Sequence, residues 1–426
     1  MWVRKQFDIG WRDLAVGLLR SAVPSARDPI RKGLEAAFSE SGDVLACLSV
    51  RSGLDLLLAT LQLPRKSEIL FSAMTIPDMA RIAEHHGLVP VPVDLDLETL
   101  GPALEDLRRV VSPASRVLVM AHLCGGRPAV DPLLAEARSH GLLVVEDCAQ
   151  AFDGRGYTGH PAADVSMFSF GPIKTATALG GALLRVRNAE LLARMRARQA
   201  EYPMQNRRSY AGRVLKYAAM KALSRPIAYG ILLRIWRAMG LDYDRLVNGS
   251  VRGFPGPAFF DRIRQQPSAA LLAVLGRRLR TYSQRRLERR AAKGELLSRL
   301  LAPRVFCAGR AAVPHNSWVF PILVENPREV IAALRQAGFD ATQGHSMCVI
   351  EPPADRPHLG ARRAVSALAK IVYLPIYPEM PDSALEAMSR VLLGVAVPPS
   401  LPKDDARGAT GPEVNHYIAS TPVPLI

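Results

Sequence analysis

Between about Arg51 and Gly180 the chain alternates between two hydrophobic rhythms, one of period near 3.6 and one of unbroken apolar runs. "SGLDLLLATLQL" has helical spacing behind a serine cap, "SEILFSA" is a short apolar strand, "MARIAEHHG" is a helix stopped by Gly87, and "LVPVPVDLD" is extended. Farther on, "SRVLVMAHLCGG" reads as a buried strand ending at His122 and a glycine pair, "VDPLLAEARSHG" as a helix stopped by Gly141, and "LLVVED" as another buried strand. Strand, helix, strand in this order predicts βαβ units, an α/β domain whose mostly parallel sheet carries helices on both faces. Ligands of such sheets bind beyond the carboxyl ends of the strands, where His122, Glu146 and Asp147 fall.

The pattern then changes. Residues 194–299 read as mostly helical, with a break at Pro226 and a loop at "NGSVRGFPGP". After Pro303, "HNSWVFPILV", "NPREVIAALRQAG", "KIVYLPIYPEM" and "PDSALEAMSRVLLGV" alternate strand and helix, a smaller α+β unit. The expected organisation is a large domain over 1–190 with an N-terminal arm over 1–40, a basic helical insertion over 191–254, linking helices over 255–300, a small domain over 301–395 and a disordered tail over 396–426.

Composition narrows the setting. Five scattered cysteines without a C-x-x-C pair argue against a disulfide framework or a zinc site and suit a reducing compartment, so the cytoplasm is expected and no metal is. The start of the chain is a poor secretory signal, its apolar run broken by Arg12 and Asp13, and no apolar run of about 18 residues occurs to span a membrane. The formal charge of +16 is concentrated: residues 191–300 hold 24 Lys and Arg against 6 Asp and Glu. Such a block attracts anionic lipid, nucleic acid or a phosphate-bearing ligand, or is a solvated face.

One lysine stands apart from that block. Lys174 lies in "SFGPIKTATALGGALL", a stretch almost free of charge. A lysine beside a turn is more often solvated than catalytic, so its meaning rests on its companions. Pyridoxal phosphate needs a lysine for the Schiff base and an acid for its protonated pyridine nitrogen, and Asp147 closes a strand 27 residues before Lys174. Its phosphate needs donors at a helix start, and Ser52, Gly53 and the amides that follow supply one, with the Ser169 hydroxyl on the other side.

In that order and spacing the chain resembles the DegT/DnrJ/EryC1/StrS aminotransferases, which have the fold type I architecture of pyridoxal phosphate enzymes. The resemblance rests on "SGLDLLLATL", "PVPVDLDLETL", "VMAHLCGGRPAVDPL", "VVEDCAQAF", "FSFGPIK", "LGGALL", "HNSWVFPI" and "LPIYPEM". It implies that Lys174 is the Schiff-base lysine, Asp147 the pyridine partner, Gln150 a residue against the ring, and Ser52, Gly53, Leu54 and Ser169 phosphate contacts. It also implies a glutamate donor, a keto-sugar acceptor linked to a nucleotide, and a homodimer. His122, His315 and His345 are the substrate-side candidates.

Several positions depart from the family pattern. Leu54 replaces a hydroxyl residue and keeps only its amide, Ile76 stands where an aromatic ring usually covers the cofactor, and Leu179 replaces the acid before the paired glycines. The asparagine usually lent by the neighbouring subunit is not evident near "FFDRIRQQPSAALL", where Asp261 or Arg262 comes closest. These changes point to an unusual acceptor pocket. Within 205–241 the periodicity after Pro226 fits a helix in a membrane interface, with Trp236 at the boundary, and equally a helix packed on its own protein or across a dimer; nucleic acid is the weakest of the three. An amphiphilic or lipid-linked carbonyl acceptor, or a non-catalytic scaffold relative, are the alternatives to a soluble sugar aminotransferase. A scaffold would need neither Lys174 nor Asp147.

Overall fold

The computed structural model describes residues 1–154, 156–224, 229–230, 239, 254, 256–302, 304–344 and 346–401. The apolar runs form β1 (Val44–Cys47), β2 (Glu68–Ser72), β4 (Val89–Val93), β5 (Ser115–Ala121), β6 (Leu143–Asp147), β7 (Val165–Ser169) and β8 (Ala182–Val186), while the short β3 (Met74–Thr75) pairs with β10 (Cys348–Val349). Among the described residues the seven longer strands make one sheet in the order β1-β8-β7-β6-β5-β2-β4. The run from β7 to β4 is parallel, and β8 pairs antiparallel with both β7 and β1.

Burial on both faces explains why these strands read as unbroken apolar runs rather than alternations. Ile69, Phe71, Val117, Val119 and Val145 face one cluster, shared with the helices α3 (Val50–Leu61), α4 (Pro77–His85) and α7 (Ala189–Ala200). Their neighbours Leu70, Leu118, Met120 and Val144 face the other, shared with α5 (Leu104–Val110) and α6 (Asp131–Ser139). The period of two sends successive side chains to opposite layers, which is the α/β architecture the rhythm predicts.

A third cluster covers the β1–β8 end of the sheet. There α1 (Trp11–Ala22), α2 (Arg27–Phe38), α8 (Arg207–Leu223) and α10 (Ala269–Thr281) pack around Val44, Phe168 and Leu183. The first half of the basic segment is thereby placed on the protein's own body, with Tyr210, Val214 and Tyr217 buried. Most of the stretch after Pro226, read as a helix packed on its own protein or lying in a membrane interface, falls outside the described residues. No described helix is long and apolar enough to cross a membrane.

The smaller unit is built on the antiparallel pair β9 (Phe320–Leu323) and β11 (Ile371–Leu374), with α12 (Pro327–Gln336), α13 (Arg362–Lys370) and α14 (Asp382–Val395). The short α9 (Phe259–Ile263) precedes α10, and between α10 and this unit runs α11 (Gln284–Leu301), whose Leu297 and Leu301 enter the small unit's core. The expected arm also crosses the boundary. Val3 joins that core, Trp2 bridges to Phe339, and Arg4 pairs with Asp340 at 2.9 Å. Of the residues expected to form a tail, Val397 donates to Asn326 at 3.0 Å and Ser400 to Glu325 at 3.0 Å; residues 402–426 lie outside the described residues.

Candidate active site

Strand β6 ends in two consecutive carboxylates that alternation sends to opposite faces. Asp147 accepts the Ala149 amide at 2.9 Å; burial pushes its carboxyl up, and that bond and the Lys174 charge oppose the shift. Lys174 follows β7 in a turn closed by its own amide donating to the Gly171 carbonyl at 3.0 Å. Its ammonium sits 4.3 Å from the centroid of the Trp318 ring. Burial lowers the Lys174 amine to about 8, against the upward pull of Asp147. An amine so poised exchanges protons near neutral pH, which a solvated lysine does not.

The turn holding Lys174 is braced from several sides. The Ala176 amide donates to Asp8 Oδ2 at 2.9 Å, the Tyr210 hydroxyl to the Ala178 carbonyl at 2.9 Å, and Arg213 Nη1 to the Leu179 carbonyl at 3.3 Å. Ala176 and Leu179 have φ of 53° and 63°, in the left-handed region that costs a residue with a Cβ of order 1 kcal/mol or more. Leu179 is fully buried, so where the family's acid stands this chain puts apolar packing. Two residues of the basic segment, Tyr210 and Arg213, thus hold the lysine turn in place.

The mouth of α3 faces the same region. Ser49 caps it, its hydroxyl accepting the Ser52 amide at 3.1 Å and sharing a 2.9 Å bond with the Ser52 hydroxyl. A Cβ at Gly53 would meet both Leu184 Cδ atoms at 2.7 Å, so a larger residue there would have to displace that side chain. The nominated amides of Gly53 and Leu54 are not offered to a ligand. Gly53 donates to the Ser49 carbonyl at 3.0 Å, and helix geometry commits Leu54 to Val50. Leu54 is fully buried in the core, so the first-turn amides of Val50 and Arg51 are the ones left to face a phosphate. Arg51 also stands close enough for its charge to act on Lys174 and Asp147.

Ser169 ends β7, and a Cβ at Gly171 would lie 3.7 Å from its hydroxyl and 3.9 Å from Lys174 Cγ, so both flank one side of the turn. Gln150 is oriented by its Oε1, which accepts the Cys124 amide at 2.9 Å. Ile76 precedes Pro77 at the start of α4 and packs partly against the core, offering an aliphatic surface.

The histidines behave differently from the expectation. His122 is 2% exposed and its Nε2 bonds Glu146 Oε1 at 2.7 Å, which takes it out of reach of a substrate. Glu146 further accepts from Tyr157, from the Ser166 hydroxyl at 2.9 Å and from the His160 amide at 2.8 Å. Burial alone would raise Glu146, but these donors, led by His122, outweigh it and hold the carboxyl at about 2. His315 packs its ring edge against Gly126 and accepts the Ser317 amide at Nδ1, 2.9 Å; burial and then Arg310 lower it to about 3, so it is neutral. It does not line the cavity beside Lys174. His345 lies outside the described residues.

Sequence reasoning missed Trp318, which reaches the site because Gly125 (φ 99°) lets the 316–318 segment approach; a Cβ there would meet the Trp318 amide at 2.6 Å. Trp318 Nε1 donates to the Ile173 carbonyl at 3.1 Å. No local signal marks Trp318. A larger cavity, of about 460 Å³, lies at the far end of α3 between Leu58, His86, Arg198 and Arg264, and holds none of the candidate residues. The site is therefore located by its chemistry rather than by the size of the opening.

The donor set at the sheet end fits pyridoxal phosphate: an amine of lowered pKa, a carboxylate facing it, an oriented amide, and hydroxyls beside a helix mouth. Residues 26–224 match the model of the DegT/DnrJ/EryC1/StrS aminotransferase family. The GDP-perosamine synthase of Caulobacter vibrioides is 30% identical over 179 residues, 41% of this chain and 48% of the relative. The chain thus spans about half the length of that curated relative. Among solved structures, the aminotransferase TlmJ of Streptoalloteichus hindustanus superposes with a TM-score of 0.67 at 20% identity, covering 92% of this chain and 98% of its own. The sugar aminotransferase CalS13 of Micromonospora echinospora superposes with 0.64 at 20% identity, covering 92% and 100%. These likenesses show the fold alone: the α/β architecture that the chain shares with these two proteins over 92% of its length.

Proposed function

We propose that this chain, whose residues 26–224 match the family model, is a pyridoxal phosphate-dependent aminotransferase that transfers an amino group from an amino acid, glutamate in the first instance, to a nucleotide-linked keto-sugar. The observation that carries the reading is Lys174, an amine lowered to about 8 by burial, set against Asp147 at the ends of β6 and β7. A sugar acceptor is supported by the family match and by the GDP-perosamine synthase relative.

In this reading Lys174 would attach the cofactor, Asp147 would hold its pyridine nitrogen, and Ser52, Ser169 and the α3 mouth would hold its phosphate. The cofactor, when bound, supplies an electron sink. Once displaced by an incoming amine, the Lys174 Nζ is free to take a proton from a substrate carbon and return it elsewhere. Its lowered pKa leaves much of it unprotonated near pH 8, the form a base requires. Gln150, fixed by the Cys124 amide, and the aliphatic Ile76 would bound the ring. Incubating the purified chain with cofactor and glutamate tests the reading. The cofactor's visible absorbance should convert to that of its aminated form and return when a nucleotide-linked keto-sugar is added. Absence of any cofactor uptake would overturn it in favour of a scaffold.

A further inference from the structure

The N-terminal arm delivers a second lysine to the site. The Lys5 ammonium lies 3.4 Å from the centroid of the Trp318 ring and donates to the Trp318 carbonyl at 3.3 Å, so one indole meets Lys5 and Lys174 together. Between them is a cavity of about 20 Å³ lined by Lys5, Lys174, Arg286, Arg290, Asp8 and Tyr377, among others. That volume admits about one water-sized atom.

Four of the lining groups are cations and one is a carboxylate, and the carboxylate is committed. Asp8 accepts from the Tyr282 hydroxyl at 2.6 Å, the Ala176 amide at 2.9 Å and Arg286 Nε at 3.0 Å. Arg286 pairs with Asp8 and also with Glu379. Arg290 is 7% exposed, yet among the described residues its contacts are neutral: the Asn316 carbonyl at 2.7 Å and the Thr175 hydroxyl at 3.1 Å. Lys5 likewise touches no carboxylate among the described residues. Burial pushes the Lys5 amine well down, with Arg290 and Lys174 adding to the shift. Asp8 is near enough for its charge to act on both Lys5 and Arg290 but is already committed to Tyr282, Ala176 and Arg286; cations outnumbering their carboxylate are costly to bury, and an oxygen anion in the space between them offsets that cost.

We propose that Lys5 and Arg290 form a subsite beside Lys174 for one oxygen of an oxyanion carried by a substrate, from a carboxylate of the donor or a phosphate of the acceptor. The subsite faces the small unit through Tyr377 and Trp318, and the α3 mouth and Ser169, the phosphate-side candidates, are not part of its lining. The proposal rests on the aminotransferase reading only for the identity of the ligand. The arm residue Lys5 positions the ligand's charge, and Lys174 acts on its carbon.

The test is calorimetric titration of the full chain with glutarate and, separately, with a nucleoside diphosphate, in wild type, Lys5→Gln and Lys5→Arg. One ligand is expected to bind wild type and to weaken at least about tenfold in Lys5→Gln, as loss of a charged hydrogen bond implies, with recovery in Lys5→Arg. Dependence of glutarate assigns the subsite to the donor, and dependence of the nucleotide assigns it to the acceptor. Equal binding to wild type and Lys5→Gln, or no binding of either ligand to wild type, overturns the proposal. Cofactor uptake, followed separately by absorbance, distinguishes the failures: a chain that binds cofactor but shows no Lys5-dependent ligand refutes the subsite alone.

Discussion

Glu146 and Asp147 are neighbours on β6, and burial would raise both carboxyls, yet they end on opposite sides of their ordinary values. Glu146 receives donors from His122, Tyr157, Ser166 and the His160 amide, and is held at about 2. Asp147 receives the Ala149 amide and the more distant charges of Lys174, His122 and Arg51, and stays raised. The difference lies in the number of donors aimed at each group, because hydrogen bonds to the charged form offset desolvation. One face of the strand end is thereby closed and structural; the other keeps an underpartnered carboxylate for a ligand to complete.

The contrast can be broken from either face. The largest effect is expected on the open one: Lys174→Ala should reduce amino transfer by about a thousandfold or more and abolish the visible absorbance of the cofactor-loaded protein, measured by steady-state assay and spectrum. Retained turnover would remove Lys174 from the chemistry. On the closed face Glu146→Gln should leave the cofactor absorbance in place and lower stability by about 3 kcal/mol, read by denaturant unfolding at neutral pH. The sign follows from the depressed carboxyl: its stabilisation is present above the ordinary value near 4.5 and is lost as pH falls from there through about 2. Acid unfolding of the variant should accordingly be flatter across that window than that of wild type.

The smallest effect sharpens the comparison instead of breaking it. Asp147 pulls the Lys174 amine upward, so Asp147→Asn should move its titration to below about 8 in cofactor-free protein, followed by the pH dependence of amine labelling at Lys174. An upward move would mean that the two groups do not face each other in the way described.

Much of this was legible in the chain. Asp147 lies at a strand end that periodicity locates, and the order and spacing of Gln150, Ser169 and Lys174 after it carried the family resemblance. Gly53 was read as a phosphate contact, but its amide serves the helix. His122 was misread, because a strand-end histidine looks the same in sequence whether it faces solvent or a buried glutamate. The basic segment was ambiguous for a related reason: charges spread all round 210–224 do not say which side is covered, and for α8 the cover is α1 and α10.

The sequence by itself determined the elements and the pairing of lysine with acid, because strand and helix periodicities are local and a doubly covered parallel sheet demands continuous apolar runs. Tertiary structure alone decided which charges meet. Lys5 and Trp318 are 313 residues apart, and Asp13 and Arg278 are 265. The fate of a buried charge depends on the donors packed around it in space, and no pattern along the chain records that.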